Sequence, residues 1–205
     1  MTPTGSRGSA LERRFLRRIA CAAIPLTGIL ASGAVLAEVS EHLEYVYYEA
    51  TARPDRPLVA QLRAASPIKE DGRIFFGHTR SNIRWNFKWT TDGSGLCRIS
   101  ATTTEVRAVI TLPRIIGADT QQTAALSRFI AALRQHELGH YRIALQAAQA
   151  IDDELRAHAG MSNCQALANY ANTCAERTLT RFNELGRQYD KDTDYGRTQG
   201  AWIDE

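Results

Sequence analysis

The chain has 205 residues, 44% of them hydrophobic, with 25 Lys and Arg against 22 Asp and Glu. That is apolar material for one core of ordinary size and excludes a fibrous or compositionally disordered chain. The net charge of +3 belongs to the first 37 residues; beyond them 20 basic side chains face 21 acidic ones, net −1, so no basic surface is left for nucleic acid, which is not an expected partner.

The N-terminus reads as a secretory signal peptide over residues 1–37. Arg13, Arg14, Arg17 and Arg18 precede a charge-free apolar run from Ile19 to Val35, and Val35-Leu36-Ala37 supplies small residues before a cleavage point at Glu38. Pro25, Thr27 and Ser32 weaken the run as a bilayer span; an uncleaved anchor is the runner-up. Arg13-Arg14-Phe15-Leu16 hints at a twin-arginine signal but lacks the residue usually found between the pair and the Phe. The expected location is periplasmic or secreted, with no stable membrane span after cleavage and residues 38–205 forming a single domain. Cys21 leaves with the leader, and Cys97, Cys164 and Cys174 remain, an odd number for an oxidising compartment. One disulfide and one free thiol is the simplest outcome. Cys164 and Cys174 would stand ~15 Å apart on a straight helix, so they pair only if the chain bends near Asn169–Thr173.

Leu43–Glu49 is aromatic and β-branched and predicts a first strand. Residues 52–57 form a turn, and Leu58–Ala65 predicts a short amphipathic helix stopped by Ser66-Pro67. Arg73–Thr79 is a further strand. Ile83 to Trp89 alternates apolar and polar residues, the pattern of a strand with one wet face. After the turn residues Thr91–Gly95, a strand is expected over Leu96–Thr104, with Glu105–Leu112 as another stretch of it, bulged where the apolar phase shifts, and Pro113 as the end of the sheet. A long helix follows from Thr120 or Thr123 to about His158, stopped by Ala159-Gly160; a second, capped by Ser162, covers roughly 163–188. The fold class is therefore α+β: residues 38–113 form a small antiparallel sheet with a short helix, and 120–205 supply a long helix packed against a second one. The segment from Tyr189 to Trp202 has no helix or strand period but is dense in carboxylates and glycines.

The long helix contains Gln135-His136-Glu137-Leu138-Gly139-His140-Tyr141. Positions four apart share a helix face, so both imidazoles reach one metal ion with Glu137 beside it, the H-E-x-x-H pattern of zinc peptidases in which the glutamate is the general base. Leu126, Ile130, Leu133, Ala144, Ala147, Ile151 and Leu155 form the apolar stripe of the same helix, and His136, Glu137 and His140 project from that side. Polar groups aimed at a core need partners, and a metal supplies them.

A catalytic zinc usually takes three protein ligands and a water. His158 lies ~27 Å from His140 along the helix and cannot share the ion; Asp152, Asp153 and Glu154 fail for the same reason. His78 is a lone histidine in the sheet region, with a surface role favoured over substrate contact. Glu176 and Glu184 lie on the next helix, where a solvated face is the simpler reading. Asp190, Asp192, Asp194 and Tyr195 remain, in a segment able to return to the metal.

These features together resemble the DUF922 family of bacterial secreted proteins, which the H-E-x-x-H motif groups with zinc-dependent proteases. The resemblance rests on the leader, Gly77-His78-Thr79…Ile83-Arg84-Trp85-Asn86-Phe87, Cys97-Arg98-Ile99, Leu112-Pro113, the His-Glu-Leu-Gly-His-Tyr helix and the tail Tyr189-Asp190…Thr193-Asp194-Tyr195-Gly196…Gln199-Gly200. The family's tail reads Tyr-Asp-x-x-Thr-x-His-Gly, which implies that its histidine completes the metal shell. Here Tyr195 stands at that position, as a ligand itself or replaced in that role by Asp190, Asp192 or Asp194. Asp192-Thr193-Asp194-Tyr195-Gly196 also resembles the Asp-x-x-Tyr-Gly ending of aspzincin peptidases, which implies a ligand at Asp192 and a transition-state role for Tyr195.

The sequence thus predicts a Zn2+ peptidase acting on protein or peptide substrates, with His136 and His140 as ligands, Glu137 as base and Tyr195 as ligand or oxyanion donor. The alternative is a catalytically silent zinc-binding or envelope interaction protein on the same fold.

Overall fold

The computed structural model describes residues 38–203, so the signal peptide expected over residues 1–37 lies outside the described residues. The α+β reading holds: a small sheet with one short helix precedes two long helices. The elements are β1 (Glu38–Thr51), α1 (Leu58–Ala65), β2 (Lys69–Glu70), β3 (Arg73–Ile74), β4 (His78–Thr91), β5 (Cys97–Ile116), α2 (Thr120–Ala157) and α3 (Cys164–Asp192), followed by a 3-10 turn at Arg197–Gln199. Among the described residues no helix is long and apolar enough to cross a membrane.

The main sheet has the order β1-β5-β4, and β2 with β3 makes a separate small hairpin. The expected all-antiparallel sheet is corrected here: β4 pairs antiparallel with β5, but β1 runs parallel to it, from Glu38 opposite Thr103 to Thr51 opposite Ile116. The intervening α1, hairpin and β4 give the chain the length that a parallel return requires.

Two further expectations are revised along β5. The two stretches expected on either side of residue 104 do form one strand, but the bulge falls earlier: Lys88 faces Ala101 while Trp89 faces Ile99, leaving Ser100 as the extra residue. Thr102 and Thr104 are buried on the core side, and because they read as surface residues they displaced the apparent phase shift. Nor does Pro113 end the sheet. Ala52 N–H donates to Ile116 O at 2.7 Å, so even-numbered backbone groups there face β1 and Pro113 faces the other side. β4 has already begun beyond that point, with His78 opposite Thr111, and a missing N–H costs no ladder bond.

α2 is opened by Asp119, whose carboxylate accepts from Gln122 N–H while the Gln122 side chain accepts from Asp119 N–H, a reciprocal cap. Its length of 38 residues, ~57 Å, nearly matches the 20 residues of β5, ~66 Å. Helix and strand lie side by side in opposite directions, since Met161 bridges to Cys97 and Thr102 bonds Asp152 at 2.5 Å. Val106, Ala108, Ile110 and Leu112 of β5 pack on Phe129, Leu133, Tyr141, Ala144 and Ala148 of α2, with Leu62 of α1 closing the cluster. A second cluster joins Ile151 and Leu155 to Ala171 and Ala175 of α3 and to Trp85 and Phe87 of β4.

Asn163, not Ser162, caps α3, its Oδ1 accepting from Ala166 N–H at 3.0 Å. The helix continues to Asp192, one turn past its expected end. A straight helix from residue 164 keeps Cys164 and Cys174 apart: Cys164 pairs with Cys97, and Cys174 is a buried free thiol. α2 and α3 are antiparallel, as Glu154 meets Thr178, His140 meets Asp190 and His136 meets Thr193.

The Cys97–Cys164 bond spans 67 residues of sequence, and a loop of that size stabilises a fold by about 4 kcal/mol in the chain-entropy picture. A reductant is expected to lower the urea midpoint of the wild-type protein and to leave that of Cys164→Ser where it is. Equal sensitivity of the two proteins to reductant would contradict the pairing.

Candidate metal centre

His136 and Glu137 face the core from the middle of α2, each only 4% exposed, and His140 follows one turn later. Asp190, in the last turn of α3, crosses to them. Its Oδ1 lies 2.9 Å from His140 Nε2 and 3.2 Å from His136 Nε2. Among the described residues His136, His140 and Asp190 form a group able to hold a metal ion, with ligand atoms all within 4.8 Å of one another.

The donor set fits a metal on three counts. Two neutral imidazoles and one carboxylate are a common first shell for zinc. The observed separations fall a few tenths of an ångström short of the ~3.3 Å edge of a tetrahedron with ~2.0–2.1 Å bonds, so small side-chain shifts open the site. Asp190 also sits at the C-terminal end of α3, where the helix dipole disfavours an anion and a nearby cation is stabilising.

A closed set of hydrogen bonds fixes His136. Its Nδ1 lies 3.0 Å from Gln199 Oε1; Gln199 Nε2 donates to Tyr189 Oη at 3.1 Å, and Tyr189 Oη donates to the main-chain oxygen of His136 at 3.2 Å. With the amide oriented this way Nδ1 carries a proton, which leaves Nε2, on the Asp190 side, as the nitrogen that would take a metal, the arrangement an outer partner imposes on a metal-binding histidine. The Tyr189 ring stacks on the His136 ring at 5.0 Å and 13°.

Small residues make this contact possible. A Cβ on Gly139 would stand 2.2 Å from Tyr189 Oη, and one on Gly196 2.9 Å from His136 Cγ. One on Gly77 would stand 2.6 Å from Glu137 Oε1.

Charge is distributed unevenly over the group. Partial burial pushes the Asp190 carboxyl up, but the hydrogen bonds and charges of His136 and His140 outweigh it and hold the group down at about 2. Burial pulls the His136 imidazole down, and its bond to Asp190, the Glu137 charge and Gln199 carry it above the ordinary value. Burial raises Glu137, and neither the bond from Thr79 nor the charges of His140, His136 and His78 cancel that effect. Thr79 Oγ1 lies 2.8 Å from Glu137 Oε2 and 2.9 Å from its main-chain oxygen.

The group opens into a cleft of about 1030 Å³ between β3, β4, α2, α3 and the final turn. His78 lines it, rather than lying on an outer surface. Tyr195 lines it too, but its ring lies against Phe75 at 5.6 Å and under the Arg73 guanidinium at 5.3 Å, and its hydroxyl makes no hydrogen bond to His136, His140 or Asp190. The other substitutes considered for the third position have partners elsewhere: Asp192 accepts from Gln188 at 2.6 Å, and Asp194 pairs with Arg197 at 3.6 Å. His158 caps α2, its Nδ1 accepting from Gly160 N–H at 3.0 Å. Glu184 pairs with Arg187.

Thr79, Tyr189 and Gln199 were given no role from sequence. All three stand among the residues that carry the family resemblance, but neither periodicity nor spacing says what they touch. A family model for DUF922, described as a bacterial protein of unknown function, matches residues 45–196, and the chain belongs to that family. No curated protein and no solved structure matches it.

Gly139→Ala is expected to destabilise the fold by about 1–3 kcal/mol, because the added methyl overlaps a ring already stacked on His136. Gly93→Ala, with nothing within 4 Å of the new Cβ, is expected to stay within about 0.5 kcal/mol of wild type. Urea titration of the two variants checks the difference.

Proposed function

We propose that this DUF922-family protein is a zinc-dependent peptidase that works outside the cytoplasm. The observation that carries the reading is the convergence of His136 Nε2, His140 Nε2 and Asp190 Oδ1 beside a buried glutamate in an open cleft. His136, His140 and Asp190 would hold the ion, which when bound supplies an acidified water and an electrophilic site for a carbonyl oxygen.

The remaining work falls to the chain's own groups. Glu137 Oε2 is engaged by Thr79, which leaves Oε1 to accept the proton of the attacking water and deliver it to the departing amine. The burial that raises the Glu137 carboxyl strengthens it as a base while Thr79 keeps its rotamer fixed. Tyr195, on the cleft wall, is the donor for negative charge developing on the substrate carbonyl oxygen. β4 is the edge of its sheet and begins at the cleft; its free backbone groups suit an extended peptide added as a further strand. The Cys97–Cys164 bond supports an oxidising compartment, in keeping with the leader read over residues 1–37.

Glu137→Gln is expected to retain stoichiometric zinc, measured by elemental analysis, and to lose peptide hydrolysis. Hydrolysis that survives this change would sink the mechanism, and zinc bound by a wild type that cleaves no peptide would favour the silent zinc-binding reading. Gln199 lies beyond the family-matched residues 45–196, yet Gln199→Leu is expected to weaken zinc binding about 10- to 100-fold by freeing the His136 tautomer. Competition with a chelator of known affinity measures this without reference to turnover.

A further inference from the structure

Five arginines line the cleft: Arg63, Arg73, Arg80, Arg187 and Arg197. Arg187 pairs with Glu184, and Arg197 pairs with Asp194 and lies over the Trp202 ring at 4.4 Å. Arg63, Arg73 and Arg80 have no carboxylate partner among the described residues. The carboxylates of the cleft are mostly committed. Glu137 is bonded to Thr79, Asp190 sits between two histidines, and Asp194 pairs with Arg197. Glu70 alone is uncommitted; it stands opposite Arg73 across the β2–β3 hairpin without forming an ion pair.

The cleft lining therefore has three unpaired cations, Arg63 of α1, Arg73 of the hairpin and Arg80 of β4, against one unpaired carboxylate. Arg73 is the best organised of the three. Its guanidinium is shelved over the Tyr195 ring at 5.3 Å, and that ring is braced by Phe75. Arg73 makes no side-chain hydrogen bond among the described residues, so its N–H donors are available to take a carboxylate, which a guanidinium can do in two parallel hydrogen bonds. Arg80 is set apart, because the alternation of β4 places it on the opposite sheet face from Thr79 and Ile83, which face the helices.

Resting on the peptidase reading, we propose that the cleft selects carboxylate-bearing peptides, with Arg73 on its Tyr195 shelf as the main recognition residue and Arg63 reinforcing it. A peptide laid along the edge of β4 passes the hairpin that carries Arg73, so an acidic group near the bond to be cut meets this guanidinium. Peptides rich in Lys or Arg meet like charge and are rejected.

The test measures binding rather than turnover, so that it stands apart from the question of catalysis. Fluorescent eight-residue peptides, acetylated and amidated, with glutamate or lysine at alternate positions, are titrated against the zinc-loaded full chain carrying Glu137→Gln. The glutamate peptide is expected to bind at least ten-fold more tightly, with a preference that shrinks as salt is raised. Arg73→Glu is expected to abolish or reverse that preference, and Arg63→Glu to reduce it. Both residues are exposed, and circular dichroism checks that the variants remain folded. A third, uncharged peptide with a free C-terminal carboxylate separates the two sources of the group: tight binding lost on amidation assigns recognition to the chain end, and weak binding assigns it to acidic side chains. Equal affinity for the glutamate and lysine peptides, binding of neither, or a preference untouched by Arg73→Glu would overturn the proposal. Failure of wild type to cleave any peptide, with the acidic preference intact, would count against the peptidase reading alone.

Discussion

The structure depends on placing three polar side chains, two buried and one half-buried, on the core face of one helix. His136, Glu137 and His140 occupy positions on α2 that would otherwise carry leucine or alanine. An unsatisfied buried polar group costs on the order of 1–3 kcal/mol, so the neighbours must be arranged around these three. β4 supplies Thr79 to Glu137, α3 supplies Asp190 to both imidazoles, and the last turn supplies Gln199 to His136. Three separate stretches of chain are thus tied to one turn of one helix. The site belongs to the packing of the fold as much as to its surface.

The same demand accounts for the final turn. Asp194, Tyr195 and Gly196 all have positive φ, at 48°, 53° and 84°. Left-handed backbone is inexpensive for glycine and tolerable for aspartate, but costs a residue such as tyrosine about 1–2 kcal/mol. The turn offsets that cost locally: Tyr195 N–H donates to Asp190 O at 2.7 Å, and Ala201 N–H to Gly196 O at 3.0 Å. The reversal brings residue 199 back to residue 189, which lets one amide bridge His136 and Tyr189. Without it, α3 would end in solvent and His136 Nδ1 would have only the longer contact to Thr193 at 3.4 Å.

Much of this was legible in the sequence, and the limits have physical causes. Helix α1 and both ends of α2 follow from cap residues and periodicity, which are local signals. The α2 face carrying His136, Glu137 and His140 follows from 100° per residue. The parallel pairing of β1 with β5 was not legible, since alternation gives the faces of a strand but not the sense of its neighbour. The core-facing Thr102 and Thr104 misled the phase of β5, because a buried hydroxyl has the composition of an exposed one. Asp190 was only one of several candidates: its selection depends on how far α3 continues and on which way it faces α2. The role of Gln199 was not legible, because it is conferred by a turn with no periodic signature.

Helix geometry also explains why position 195 and position 190 have different jobs. In an antiparallel pair, contacts step backward along one helix as they step forward along the other. With Glu154 set against Thr178, His140 falls opposite Asp190 and His136 opposite Thr193. The carboxylate that meets both imidazoles is therefore fixed by register to the last turn of α3. Position 195 lies past the helix end, after two residues of reversal, and its side chain is carried to Phe75 and Arg73 instead. A tyrosine there does not have to replace a metal ligand, because the group of three is complete without it. It furnishes an aromatic shelf on the wall of the cleft, and the chemistry of that wall then depends on the guanidinium lying on it.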